Sequence, residues 1–256
     1  MSSKAIASQT GRTWLILGAT SPIARAFARH VAEAGGRVLL AGRDTQELAR
    51  IAGDLTIRGA PEVLALPFDA ADMGSHAGFA SAVKEAAPAG SLDIYLGFGV
   101  MPEQTDMEAD PALALSCIAG NYSGAVSVLL HLAPHLEAGH QGRVVVVGSV
   151  AGDRGRLKNH IYGSAKAGLA TFAAGLRNRL NRSGVTVTTV KPGFLDTGMT
   201  WGLPGIFLAA APEDAARAML KAALKGKEVV YVPFFWELIM LIIKSVPEKI
   251  FKKLAI

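Results

Sequence analysis

Apolar positions in this 256-residue chain fall into short continuous runs separated by longer stretches with helical spacing. The runs are residues 14–17 (WLIL), 37–41 (RVLLA), 63–66 (VLAL), 92–96 (LDIYL), 144–147 (VVVV) and 185–190 (VTVTTV). Continuous rather than alternating apolarity marks strands buried on both faces. Between them, apolar residues recur at a helical period over 24–35, 44–57, 73–87, 111–136 and about 159–181. Strand and helix alternate without a repeat or a low-complexity segment, which predicts a doubly wound parallel sheet in a three-layer αβα, α/β architecture. Right-handed crossovers then bring every strand-to-helix loop to one edge of the sheet. Gly18, Arg43, Asp69, Gly99, Ser149 and Pro192 all belong to that edge.

Two stretches break this rhythm. Residues 199–210 (MTWGLPGIFLAA) are apolar but interrupted by Gly and Pro, a composition expected of a mobile lid over an apolar substrate. Residues 234–243 (FFWELIMLII) are more apolar than a surface helix, contain Glu237, and fall short of the ~20 residues that span a bilayer. Lys244, Lys249, Lys252 and Lys253 follow, mixed with Val246, Ile250, Phe251, Leu254 and Ile256. The chain therefore divides into an α/β unit over 1–232 and an apolar, basic helical tail over 233–256. The tail either docks on the body or a partner subunit, or lies in a membrane interface.

Composition narrows the setting. Half of the residues are apolar, enough for one sizeable core. Cys117 is the only cysteine, which excludes a disulfide framework and a cysteine zinc site, and it reads as a small buried hydrophobe. The opening MSSKAIASQTGR lacks the apolar core of a signal peptide, so a reducing, cytoplasmic location is expected, with peripheral contact to the inner membrane face if the tail is interfacial. The formal charge of +5 is spread along the chain without a zinc-finger or recognition-helix pattern, so nucleic acid is not the expected partner. Phosphates on a cofactor or a membrane account for the balance better.

The first candidate chemistry is Gly18-Ala-Thr20-Ser21-Pro-Ile23-Ala24, between a strand and a helix. That arrangement aims backbone N–H groups and the positive end of a helix dipole at a pyrophosphate. Pro22 suits the first helical position, which needs no donor. Only Gly18 remains of the usual three glycines, so an ordinary strand-to-helix turn is the alternative. At the end of the next strand Gly42 stands where an acidic residue would grip a ribose 2′-hydroxyl, and Arg43 follows. A guanidinium there suits a 2′-phosphate, which favours NADP(H) over NAD(H). Otherwise Arg43 is a solvated residue at a helix start, and in either case Asp44 can cap that helix.

The second is Ser149 through Lys166, SVAGDRGRLKNHIYGSAK. Tyr162 and Lys166 lie four residues apart on one helical face, and Ser149 ends the preceding strand. A free phenol has a pKa near ~10. An ammonium about 5 Å away at an effective dielectric near 20 would favour phenolate by about 3 kcal/mol, on the order of two pKa units. Tyr162 could then exchange a proton with a carbonyl or alcohol oxygen held by Ser149. A chance surface pair is the bland alternative for an isolated Tyr-x-x-x-Lys. His131 and His135 have helical spacing but no third ligand, so no metal site is expected, and Ser164 lacks the strand-turn elbow of a serine hydrolase.

Over about 12–232 these motifs resemble the short-chain dehydrogenase/reductase family. The resemblance implies a Rossmann-type sheet and a catalytic quartet that falls on Asn121, Ser149, Tyr162 and Lys166. It implies that Tyr162 is the acid/base, that Lys166 lowers its pKa and bonds the nicotinamide ribose, that Ser149 orients substrate, and that Asn121 supports a water relay. Asp69 would bond the adenine amino group, and Pro192, Gly193 and Thr197 would border the nicotinamide. A homo-oligomer paired through the helices at 111–136 and 159–181 is the family expectation. The chain departs from the pattern in its glycine loop and in Leu96-Gly-Phe-Gly99, where Asn-Asn-Ala-Gly is usual.

Within the family, GATSPIA, FG after the fourth strand, SVAGDRGR before YGSAKAGL, and the ending KGKEVVYVP through IFKKLAI resemble decaprenylphosphoryl-2-keto-erythropentose reductases. That likeness implies reduction of the 2-keto group of a polyprenyl-phosphate-linked pentose. Two alternatives stay open: an alcohol dehydrogenase on another apolar or free-sugar substrate, and a nucleotide-sensing or lipid-binding protein without turnover.

Overall fold

The computed structural model describes residues 6–198 and 209–254. Seven strands form one sheet: β1 (Thr13–Leu17), β2 (Arg37–Gly42), β3 (Val63–Pro67), β4 (Leu92–Leu96), β5 (Gly142–Val147), β6 (Val185–Pro192) and β7 (Val229–Val232). Their order is β3-β2-β1-β4-β5-β6-β7 and every pairing is parallel. The order reverses between β1 and β4, which opens a crevice at the carboxyl ends of the strands.

Successive side chains of β1 point to opposite faces, and each face has its own core. Trp14 and Ile16 join Phe27, Leu48, Met219 and Leu220 from helices α1 (Pro22–Glu33) and α2 (Thr45–Ile57) and from the later helix Pro212–Leu224. Leu15 and Leu17 join Phe79 of α3 (His76–Ala86) and Leu132 and Leu169 from two later helices on the other face. The helices after β4 are α4 (Gln104–Ala109), α5 (Pro111–Ile118) and α6 (Gly124–Gly139), and α7 (His160–Asn181) follows β5. The helix Pro212–Leu224 is α8, and α9 (Trp236–Ser245) and α10 (Glu248–Phe251) form the tail. This is the three-layer α/β arrangement that the alternating pattern predicts.

Three details differ from the sequence reading. The helix expected over 111–136 is α5 and α6 joined by a π-helical turn, Ala119–Ser123. The sequence reading assigns neither α8, which buries mainly alanines, nor β7, a four-residue apolar run close to the apolar tail. Residues 199–208 of the expected lid lie outside the described residues.

The described tail packs on the body. Trp236 and Met240 are buried against Val150, Phe194 and Tyr231. Arg154 holds the tail from the loop after β5, donating from Nη1 to the carbonyls of Ile243 (2.5 Å) and Val246 (2.7 Å). Its Nη2 meets Glu248 at 3.0 Å, and its guanidinium lies 3.6 Å from the centre of the Phe251 ring. The opposite side of α9 leaves Leu238, Leu241 and Ile242 more than half exposed.

Candidate active site

At the carboxyl edge the loops enclose a cavity of about 580 Å³. Gly18, Thr20, Ser21, Ile23, Arg43, Asp69, Gly99, Ser149, Tyr162, Lys166, Pro192, Gly193 and Thr197 all line it. Asn121 does not, and lies one layer behind next to the lining residue Gly120.

The β1–α1 loop shows why one glycine suffices. Gly18 has φ +83°, and a Cβ there would stand 2.8 Å from the Phe98 backbone. The other two positions are satisfied differently: Pro22 opens α1, capped by Ser21 Oγ accepting from the Ala24 N–H at 3.2 Å, and Ala24 is fully buried. The loop thus keeps the close-packed turn before a helix N-terminus that a dinucleotide pyrophosphate requires. Phe98, from the unusual Gly-Phe-Gly sequence, is the residue that closes on it.

At the end of β2, Asp44 caps α2 by accepting from the Glu47 N–H at 2.9 Å. Arg43 is exposed at the cavity and makes no hydrogen bond or ion pair among the described residues. Asp69 accepts from the Ala71 N–H at 3.0 Å, and its carbonyl accepts from buried His76 Nε2 at 3.0 Å. With Nε2 donating, His76 Nδ1 accepts from the Ser127 hydroxyl at 2.9 Å, so the loop after β3 is fixed from α3 and α6.

The chemical end depends on how closely the loop after β5 approaches α7. A Cβ on Gly163 would stand 2.7 Å from the Ala151 carbonyl oxygen, so only glycine admits that contact. Ser149 is extended, and its Oγ accepts from the Ala151 N–H at 3.1 Å, which holds the hydroxyl at the end of β5. Lys166 is buried, donates from Nζ to the Val147 carbonyl at 3.2 Å, and lies 5.7 Å from the centre of the Tyr162 ring.

Burial pushes the Lys166 ammonium down to about 8, opposed by the Cys117 thiol. It pushes the Tyr162 phenol up to about 12, against the Ser149 hydroxyl, which lowers it. The sequence reading gives the opposite sign for Tyr162. The reason is desolvation: the phenol is enclosed, and loss of water around the phenolate outweighs the Ser149 hydrogen bond that favours it. Enclosure therefore favours the protonated form of Tyr162.

Asn121 sits in the π-helical turn between α5 and α6. The widened turn leaves the Cys117 carbonyl to the side-chain amide, which donates to it at 2.8 Å and to the Val100 carbonyl at 2.7 Å. Asn121 Oδ1 is buried without a partner and, with Lys166 Nζ, faces the α-carbon of Gly99. An orphaned acceptor beside a buried ammonium is suited to a bridging water.

Several residues of the site are not singled out in the sequence reading. Asp153 accepts from Lys191 Nζ at 2.5 Å and from the Tyr231 hydroxyl at 2.7 Å, tying the loop after β5 to β6 and β7. Arg154 ties the same loop to the tail, while Arg156 and Trp236 line the cavity. The cluster of Asp153, Arg154 and Arg156 just past Ser149 is the available signal: three charged side chains in so short a stretch after a buried strand.

The short chain dehydrogenase family model matches residues 12–204. An uncharacterised oxidoreductase from the mprA 5′ region of Streptomyces coelicolor is 38% identical over 253 residues, covering 98% of each chain. An uncharacterised oxidoreductase of Mycobacterium tuberculosis H37Rv is 36% identical over 241 residues, covering 94% of this chain and 96% of its own. Among solved structures, the 3-oxoacyl (acyl-carrier-protein) reductase of Agrobacterium tumefaciens C58 with NADP bound superposes with a TM-score of 0.77 at 22% identity, covering 90% of this chain and 96% of its own. That likeness is one of fold. The match over the first six strands and the loops that follow them, together with relatives above 30% identity over nearly their whole length, makes this chain a member of the short-chain dehydrogenase family, an oxidoreductase that works with a nicotinamide cofactor.

Proposed function

We propose that this protein is a carbonyl reductase, favouring NADP(H), in which Tyr162 gives the proton to the ketone oxygen. The observation that carries this reading is the enclosed phenol, held near pKa 12, beside buried Lys166 and next to Ser149 on one cavity with the Gly18 loop. A protonated donor matches the reductive direction: the oxygen of a ketone that receives hydride becomes a strongly basic alkoxide and takes the phenolic proton. A bound nicotinamide supplies the hydride. Ser149 Oγ orients the carbonyl oxygen, Lys166 stabilises the phenolate left behind, and Asn121 Oδ1 accepts from a water that returns the proton. Gly18, Thr20, Ser21 and Ile23 would hold the pyrophosphate, Asp69 the adenine side, and Pro192, Gly193 and Thr197 the nicotinamide side. Arg43, exposed and free of intramolecular partners among the described residues, would pair with the 2′-phosphate.

For the substrate we propose the 2-keto group of a polyprenyl-phosphate-linked pentose. Supporting it are the motif resemblance and an apolar wall of Met101, Val150, Phe194, Leu195 and Trp236 beside the reacting groups. The tail's outer face, with Leu238, Leu241 and Ile242 exposed and four lysines nearby, would rest on an anionic membrane surface and bring the cavity to such a substrate. We further propose a cytoplasmic homo-oligomer paired through α5, α6 and α7, where Leu115 and Leu130 are exposed. The cofactor assignment is tested by fluorescence titration of NADPH and NADH into the protein and its Arg43→Ala variant. Tighter NADPH binding that Arg43→Ala abolishes supports it; equal binding of the two nucleotides overturns it.

A further inference from the structure

Arg156 lines the cavity with its Nε buried and unpartnered, and among the described residues no carboxylate forms an ion pair with it. It lies in the loop between β5 and α7, clamped on two sides: Nη2 donates to the Val150 carbonyl at 3.2 Å and touches Met240 Sδ of the tail at 3.2 Å. Asp153 is the acid that acts on it electrostatically, yet both oxygens of that carboxylate are committed, one to Lys191 and the other to Tyr231. Burial pushes the guanidinium down, and the Asp153 carboxylate, engaged elsewhere, offsets this only in part. Leaving a buried charge uncompensated is costly, so such an arrangement is expected where a ligand completes it.

The surroundings say which ligand. Arg156 lines the same cavity as Val150, Tyr162 and Trp236, and as Asn159, whose Oδ1 is also buried without a partner among the described residues. The nucleotide-side residues Gly18, Arg43 and Asp69 come from loops after β1, β2 and β3, whereas Arg156 follows β5, on the other side of β4 in the sheet. A fork of N–H donors matches the spacing of oxygens on a phosphate or a carboxylate.

We propose that Arg156 is a specificity-determining residue that binds an oxyanion, phosphate or carboxylate, carried by the substrate on its apolar body. Asn159 Oδ1 accepts from a hydroxyl of the same molecule. This deepens the reductase reading and rests on it for the word substrate, but the binding site itself can be tested without turnover.

Isothermal titration calorimetry of the full chain with hexyl phosphate, hexanoate, inorganic phosphate and hexanol separates the cases. Hexyl phosphate or hexanoate should bind at least about tenfold more tightly than hexanol, with Arg156→Gln removing that advantage and Arg156→Lys restoring part of it. Inorganic phosphate binding as well as hexyl phosphate would identify a small free phosphate as the source. Preference for hexyl phosphate would identify a lipid-linked one, and both support the anion site. Three results overturn it: hexanol bound as tightly as the anions, an anion preference unchanged in Arg156→Gln, or NADPH affinity falling in Arg156→Gln as far as anion affinity. Should Arg156→Gln not fold, Arg156→Lys decides, since a site that reads only charge loses nothing and a fork-specific site loses severalfold. Because these titrations need no hydride transfer, a failed reductase assay would leave this result standing, and the reverse also holds.

Discussion

Replacing Lys166 by Met should make the protein more stable while removing its activity. Lys166 is enclosed at the foot of the cavity, and moving its ammonium from the ordinary 10.5 down to about 8 corresponds to a burial cost of roughly 3 kcal/mol. Met has a similar length, no charge, and a flexible thioether that can fill the same channel. The substitution also loses the Nζ donation to the Val147 carbonyl at 3.2 Å, which offsets about 1 to 2 kcal/mol. The net expectation is a gain of about 1 to 2 kcal/mol at pH 7, which for a chain of this size raises Tm by about 2 to 8 °C. The gain should depend on pH in a definite direction. Between about 8 and 10.5 the unfolded chain keeps the Lys166 proton and the folded chain does not, so raising pH through that window stabilises the wild-type protein. The wild-type protein gains about 2 to 3 kcal/mol between pH 7 and pH 10, so the variant's advantage should vanish or reverse by pH 10. Urea unfolding at pH 7 and pH 10, at one protein concentration, reads both quantities. A Lys166→Met variant that is less stable at pH 7, or a difference that does not shrink at pH 10, would refute the claim that this ammonium is held at a desolvation cost for function.

Reduction measured as kcat/KM should fall as pH rises through about 8, where Lys166 loses its proton, and should show no separate loss from Tyr162 below about pH 11; a flat profile to pH 10 would count against Lys166 as the stabilising cation. Gly18→Ala should fold yet weaken nucleotide binding by at least about tenfold, because φ +83° costs an L-residue about 1 to 2 kcal/mol and its methyl would meet the Phe98 backbone; unchanged affinity by calorimetry would contradict the cradle. Arg154→Ala should lower stability by about 2 to 3 kcal/mol and speed amide hydrogen exchange both in α9 and in the loop after Ser149, since one guanidinium holds the two together; protection unchanged in both segments would show that the tail docks without it.

The parts of this molecule legible in the sequence are those set by local pattern. Six of the seven strands read directly as apolar runs, although β3 lies at an edge of the sheet and is largely exposed; β7 is also an apolar run, VVYV, that passes almost without a break into the apolar tail. Tyr162 and Lys166 read as a pair because a helix places residues four apart on one face. The position of Asp44 as a cap beside an exposed Arg43 is open to the same kind of reasoning. What could not be read depends on tertiary enclosure. The sign of the Tyr162 shift follows from how the loop after β5, α7 and the cavity floor exclude water, and the polar neighbours His160 and Ser164 in sequence give no hint of that. The π-helical turn at Asn121 is likewise invisible to a period count, since one widened turn barely disturbs the apolar spacing of α5 and α6. Trp236 lies in a tail that reads as a separate segment, yet it closes the cavity and packs with Phe194 at 5.3 Å between ring centres.

The most direct test of the central claim is transfer of deuterium. The full chain would be incubated with NADPH or NADH deuterated at C4 and a panel of ketones that includes a prenyl-phosphate-linked 2-keto-pentose, with product alcohols read by mass spectrometry. We expect deuterium on the carbinol carbon, a rate lower by about 10² to 10⁴ in Tyr162→Phe, and nucleotide affinity unchanged in that variant. Deuterium missing from every product, or Tyr162→Phe turning over at the wild-type rate, would contradict the assignment of a carbonyl reductase with Tyr162 as its proton donor.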